Sequence, residues 1–407
     1  MISDNNIFLL KGKVQHYDWG GYTYLPELLH FDNQQQQPCA EYWMGAHNSA
    51  PSVLVDGQNE YPLNELIQSN PEKFLGKSVY EQFGELPFLY KILDVKEMLS
   101  IQVHPSKTEA GKGFEKEEME GIDIKAANRN YKDKNHKPEV MIALSEFWLL
   151  HGFLQEEKLK DVLQRVDAFK ELISILKEKG TKGLYRHVME MSQEDANALL
   201  QPLVSEVLAE KRTDKSTPEY WVQKLFQNKN TEAATDFDKG IFSIYFFNIV
   251  KAEKGEAVFQ GAGLPHAYLE GQNVELMANS DNVLRGGLTS KHVDVPELLK
   301  HTSFEGIVPE SLTPRAEGAE KIFECPVPDF GISEISLQQN ETIELQTHSL
   351  EILFVLQGNA LFTSEQKTIE AKSGEAVAVL PESNFSITSQ ALETIVYKAF
   401  VPVVRTH

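Results

Sequence analysis

The sequence predicts a mainly β protein with a helical insertion: two jelly-roll β-barrels plus an α-helical domain. Three observations carry this reading. Short apolar runs, some alternating with polar residues, fill residues 1–154. Residues 155–238 change to helical spacing. From 239 onward short strands separated by turn residues return, a rhythm that suits a sandwich or jelly roll. The expected division is a first β domain in two parts, 1–154 and 239–325, a helical domain at 155–238, and a second β domain at 326–407.

In chain order, LPFLYKIL (86–93) and LSIQVHP (99–105) read as strands, the second by its alternation. The charged stretch 109–130 reads as a solvated helix or loop. In the run that follows Gln155, Leu159, Val162, Leu163, Val166, Phe169, Leu172, Ile173 and Ile175 keep helical spacing, and Gly180 ends the run. MSQEDANALLQPLVSEVLAEKR reads as a further helix, with Ser192 as its N-cap. IFSIYFFNIV (241–250) is a buried-strand candidate, and VPDFGISEISL, LEILFVLQGNALF, KTIEAKSGEAVAVLP and ETIVYKAFVP continue the β pattern.

One weak internal repeat stands out. KGEAVFQGAGLPHAY (254–268) is similar to SGEAVAVLPESNFSI (373–387): a Gly-Glu turn, a short apolar strand, then a polar turn. The first copy holds His266; the second offers Asn384 or nothing there. One metal-bearing and one metal-free β domain is the economical reading, against chance likeness of two ordinary strand-turn units.

Composition narrows the function classes. At 407 residues the chain is too long for one ordinary domain. Its net charge of -21 argues against nucleic acid or an anionic membrane as partner. A small anionic substrate then requires a local basic pocket. The two cysteines, Cys39 and Cys325, are far apart and suggest neither a disulfide framework nor a thiolate metal site. No apolar run approaches membrane-helix length, and the N-terminus lacks a signal-peptide pattern. A cytoplasmic monomer is expected.

Four segments hold chemistry. Gln102 and His104 are two apart on a strand and so share a face, although an ordinary polar strand face would also account for them. Glu139 follows Pro138 and opens the apolar VMIAL run, so it is set for burial and needs a cation, either a metal or a neighbouring Lys. His266 sits at a turn leading into a strand. Together Gln102, His104, Glu139 and His266 offer two nitrogens and two oxygens, a set that suits one Zn²⁺ per chain. The fourth segment, Ser280-Asp281-Asn282 followed by Arg285-Gly286-Gly287, presents an Arg from a polar loop.

Five blocks, YDWGG (17–21), AEYWMGAHNSAPS (40–52), LPFLYKILDVKEMLSIQVHPSK (86–107), YKDKNHKPEVMIAL (131–144) and LPHAYLEGQNVELMANSDNVLRGGLT (264–289), resemble the signature blocks of the type I mannose-6-phosphate isomerase family. They occur in the family's order; beyond about residue 320 only the general cupin pattern is similar. Tyr42, where Leu is usual, and the Arg285-Gly286-Gly287 run, often R-A-G, depart from the pattern without touching a proposed ligand. The resemblance implies cupin-type barrels, a zinc on Gln102, His104, Glu139 and His266, and Arg285 as the catalytic arginine. It implies a sugar-phosphate substrate interconverted between mannose and fructose 6-phosphates.

That reaction moves a proton between C2 and C1 and develops charge on oxygen. Arg285 suits charge stabilisation because a guanidinium stays protonated. Glu275, His136, Lys137 and Asp281 are candidates for the proton shuttle, Lys137 also for anion binding. Lys91, Ser100, Lys107, Lys137, Arg285 and Lys291 are candidates for the phosphate, and Trp19 and Trp43 for the sugar wall. A cupin oxygenase, another sugar-phosphate isomerase, or a non-enzymatic sugar-binding protein are the competing readings; the Gln ligand and the Arg-bearing loop weigh against the oxygenase.

Overall fold

A computed structural model describes residues 2–227 and 236–402. Met1, residues 228–235 of the expected helical segment and residues 403–407 of the expected second β domain lie outside the described residues. The molecule is mainly β with a helical region. Its strands form a ten-stranded, a nine-stranded and a four-stranded sheet. None closes on itself by hydrogen bonding, so the expected jelly-roll barrels appear as facing sheets.

The ten-stranded sheet builds the first β region and folds over through one long strand, His266–Ala278. The first part of that strand pairs with Phe147–Phe153 and Gln102–Val103. Its second part pairs with Phe88–Val95 and Glu139–Ala143. Gly271, at φ +126°, marks the change of partners: a Cβ there would stand 2.7 Å from the Glu146 carbonyl oxygen, so the turn of the strand needs glycine. Leu93, Val95, Met141, Ala143, Phe147, Leu149, Val258 and Tyr268 fill the space between the two arms.

In the second β region the nine-stranded sheet faces the four-stranded one. Ile335, Leu353, Val377 and Val379 pack against Phe362, Ile369, Phe385 and Ile387 from the opposing sheet. Strand pairing crosses the expected boundary at 326: Ile7–Lys11 pairs with Ala376–Val379, so the chain's first strand belongs to the second region's sheet. Phe8, Tyr42, Ile92 and Ile142 share one core with Ile352, Phe354 and Ala378. The two regions are therefore held together by buried apolar surface.

The helical segment forms as the spacing predicts, with helices Glu156–Arg165, Leu172–Glu190, Gln193–Ala209 and Pro218–Phe226. Gly180 interrupts the second (φ 63°, ψ -173°), and the chain re-enters a helix at once. Ser192 caps the third, its side chain accepting from the Asp195 N–H at 3.0 Å. The charged stretch begins as the helix Lys107–Met119, capped by Ser106. One expectation is corrected: Gly240–Phe246 is a fully buried helix and the strand begins only at Phe247. A segment apolar on every side has no period to distinguish helix from strand.

Candidate metal centre and cavity

Three expected ligands come from both arms of the first region. His104 follows the Gln102–Val103 strand, His266 opens the long strand, and Glu139 opens the strand facing them. Val103 packs into the helical core, which leaves Gln102 and His104 on the other face. The ligand atoms of His104, Glu139 and His266 lie within 4.8 Å of one another, all buried. Gln102 is the register partner of His266 on one side and of Arg285 on the other.

The protons on the imidazoles show what the cluster lacks. His104 Nδ1 is 2.7 Å from the Asn282 carbonyl oxygen, and His266 Nδ1 is 3.0 Å from that of Leu264. A carbonyl only accepts, so each Nδ1 carries a proton and each Nε2 is the ring nitrogen turned to the centre of the cluster. Both Nε2 atoms face Glu139: His266 Nε2 is 3.1 Å from Oε2 and His104 Nε2 is 3.6 Å from Oε1. Burial pushes His104 down to about 4, against the pull of Glu139, which keeps it neutral near pH 7. Two imidazole nitrogens and a carboxylate oxygen converging in a buried space make a donor set that a metal ion suits. Lys137, whose Nζ is 3.2 Å from Glu139 Oε1, answers one oxygen only. Backbone carbonyls that fix the far nitrogens are the usual outer support of a metal site. The residues therefore fit a metal ion.

Next to this cluster opens a cavity of about 1060 Å³, lined among others by Trp19, Trp43, Lys91, Ser100, Gln102, Lys137, Asp281, Arg285 and Lys291. Lys91 is buried between Glu275 at 2.9 Å and Glu41 at 3.3 Å. Burial opposes its charge, but the two carboxylates outweigh it and raise Lys91 above the usual lysine range. Asp281 Oδ2 is 3.3 Å from His47 Nε2, and that contact lowers its carboxyl. Among the described residues, Arg285 and Lys291 form no ion pair with a carboxylate; burial lowers both, and the charge of Arg285 lowers Lys291 further.

Of the other expected site residues, Glu275 is buried against Lys91 behind the cavity wall. His136 is bound to Asp329, its Nε2 lying 3.0 Å and 3.1 Å from the two carboxylate oxygens, and does not line the cavity. Lys107 stands on the first turn of its helix over Phe83, also outside the cavity wall. The sequence reading missed Glu41, which accepts from Trp43 Nε1, as well as His47 and Tyr17, stacked on Trp19 at 5.9 Å. Glu41 and Trp43, two apart on the strand Glu41–Met44, share a face; that spacing was the available signal.

Fold and site together define a metal-binding β protein whose cavity presents cations that have no carboxylate partner among the described residues, a setting that suits a small anionic ligand. Comparison with known proteins makes the class specific. Residues 7–156 match the family described as phosphomannose isomerase type I, catalytic domain. The mannose-6-phosphate isomerase of Salmonella typhimurium is 38% identical over 381 residues, 91% of this chain and 94% of that one. Mannose-6-phosphate isomerase 1 of Arabidopsis thaliana is 31% identical, over 94% and 91% of the two chains. Among solved structures, a zinc-bound mannose 6-phosphate isomerase is similar with TM-score 0.86 at 34% identity, covering 98% of this chain and 100% of that one. The Salmonella typhimurium enzyme bound to substrate (f6p) and zinc gives 0.85, with the same identity and coverage. The chain belongs to the type I mannose-6-phosphate isomerase family.

Proposed function

We propose that the chain interconverts mannose 6-phosphate and fructose 6-phosphate, moving a proton between C2 and C1 through an enediolate. In this reading one zinc is held by Gln102, His104, Glu139 and His266, and two cupin-type units act together as a monomer. The observation that carries the proposal is the convergence of the His104 and His266 Nε2 atoms on buried Glu139, beside a cavity where Arg285 and Lys291 have no carboxylate partner among the described residues. Family membership supports the substrate, and the relative solved with f6p and zinc supports the pairing of sugar phosphate with metal.

When bound, the zinc would supply a Lewis acid that polarises and orients sugar oxygens. The remaining work falls to side chains. Lys291 and Ser100 are assigned to the phosphate, because both line the cavity and Lys291 has no carboxylate partner among the described residues. Arg285, one strand over from Gln102, is assigned to the oxygen where charge develops. Lys137 and Asp281 are the two shuttle candidates on the cavity wall. Lys137, paired with Glu139 at 3.2 Å, is assigned to charge stabilisation. Asp281, ionised through its contact with His47, takes the proton from one carbon and returns it to the other.

A coupled assay of fructose 6-phosphate formation, run with chelator and after zinc is restored, tests the metal part of this reading. Asp281→Asn tests the base: kcat falls at least 100-fold with zinc content unchanged. Full activity of chelated protein would overturn the zinc assignment, and an unchanged kcat in the Asn variant would move the base role to Lys137.

A further inference from the structure

We infer that Gln260 belongs to the metal centre as a positioning residue, its side-chain amide holding the Glu139 carboxylate when the ion is bound. The inference rests on the metal reading above. Gln260 ends the strand Ala257–Gln260 and is the register partner of Glu139. Directly opposed residues of an antiparallel pair share a face, with Cβ atoms roughly 4.5–5.5 Å apart. The face is the interior one, because Val258 and its partner Met141, one step back along the same row, lie in the apolar cluster between the two arms.

Gln260 is 0% exposed, and among the described residues neither its Nε2 nor its Oε1 has a hydrogen-bond partner. A primary amide in such a place calls for a polar neighbour. Glu139 provides one. Its Oε2 lies beside His266 Nε2, which would turn its lone pair to the ion and donate nothing to the carboxylate once the ion is bound. Lys137 answers only Oε1. The Gln260 NH₂ is the donor that can complete the carboxylate once the imidazole lone pairs are committed to the ion.

The internal repeat offers an independent comparison. Aligning Gly255-Glu256-Ala257-Val258 with Gly374-Glu375-Ala376-Val377 sets Gln260 against Val379 and His266 against Phe385. Val379 and Phe385 are both buried in the apolar core of the second region. The polar residue at this strand position therefore occurs in the copy that has the imidazole ligand and is absent from the copy that has none.

The test replaces the amide by an apolar side chain of similar size, Gln260→Leu, and reads zinc binding rather than turnover. Zinc affinity is measured by competition with a chromophoric chelator, and Tm is measured for zinc-free and zinc-loaded protein. Loss of a residue that supports a metal ligand typically weakens binding about 10- to 100-fold. The expected result is a zinc affinity at least about 10-fold lower, a zinc-free Tm equal to or above wild type, and a smaller Tm gain on loading. Gln260→Asn, which keeps the amide on a shorter stem, should fall between the two. Equal zinc affinity, with Tm raised by the same amount in both states, would make Gln260 an unsatisfied core amide and overturn the inference. Should the Leu variant fail to accumulate folded, Gln260→Met makes the same comparison. Wild-type protein that binds no zinc would remove the metal reading, and this inference with it.

Discussion

The two β regions treat buried carboxylates differently. In the first, Glu139 faces the Nε2 atoms of two imidazoles, and among the described residues Lys137, at the cavity side, is the lysine that pairs with it. In the second, the cation is built into the chain: Lys398 Nζ stands 2.8 Å from Glu320 Oε1 and 3.9 Å from Glu351 Oε2. Ser333 donates to Glu320 at 2.5 Å. A lysine fixed in the sheet satisfies its carboxylate without any ligand, and the interior around it closes with Leu353, Val379 and Phe385. A site missing its cation stays open to an ion and, beside a cavity, to a substrate. A cation built into the chain in one region, and a buried carboxylate in a group that could hold a metal ion in the other, is the contrast between them.

Taking the metal ion away should have the largest effect. Chelation should abolish isomerisation and lower Tm, and zinc should restore both. His104→Ala, which removes one nitrogen of the buried His-Glu-His group, should bind zinc poorly at any practical concentration and show activity near background. Metal analysis of the purified variant beside its specific activity decides this, and a fully loaded, fully active His104→Ala protein would break the comparison at its root.

Next comes the built-in cation. Lys398→Met leaves Glu320 and Glu351 buried without a counter-charge, and removing one partner of a buried pair costs about 3–5 kcal/mol. Urea denaturation should show that loss. The zinc content and kcat of the molecules that remain folded should match wild type, because no described residue beyond Lys291 lines the cavity. A variant of normal stability but reduced kcat would mean that the second region reaches the reaction.

Arg285→Ala should leave zinc bound and lower kcat by about 10²–10³, the usual worth of one charge-stabilising donor. Arg285→Lys should recover only part, since a point charge does not reproduce the planar fork. Steady-state kinetics separate this from a phosphate anchor. A raised KM with kcat intact would assign Arg285 to ground-state binding beside Lys291.

Much of this contrast was legible before any fold was known, and the illegible parts have physical reasons. The His104 and Glu139 positions could be read because strand alternation and the Pro138 boundary are local signals. The helical segment could be read because an amphipathic helix has a period; the buried helix Gly240–Phe246 has none and was taken for strand. The pairing of Ile7–Lys11 with Ala376–Val379 is a contact between the two ends of the chain that no local pattern encodes. His136 and Glu275 were proton-shuttle candidates by residue type. Their partners are distant in sequence: His136 pairs with Asp329, and Glu275 is buried against the cavity-lining Lys91. Gln260 gave no signal, because its meaning lies in register with Glu139.

The smallest expected effect concerns Glu351, and it sharpens the comparison by asking how complete the built-in cation is. Lys398 sits closer to Glu320 than to Glu351, and Glu351 Oε2 has no hydrogen-bond partner among the described residues. Burial pushes the Glu351 carboxyl up to about 7; Lys398 pulls it back and Glu320 adds to the rise. In the unfolded chain a glutamate titrates near about 4.3. The folded value is the higher one, so the folded state binds the extra proton between those limits. Stability from this group is complete below about pH 4, falls as pH rises through the window, and is lost above about pH 7. The full swing is no more than about 4 kcal/mol. Glu146 and Glu297, lowered to about 2, act in the opposite sense and mainly below pH 4, so the windows do not overlap. Glu351→Gln keeps the shape and removes the titration. The difference in unfolding free energy between wild type and Glu351→Gln, both zinc-loaded, should therefore slope from about pH 4 to pH 7, with wild type losing ground as pH rises. A flat difference would mean that Lys398 serves both carboxylates fully.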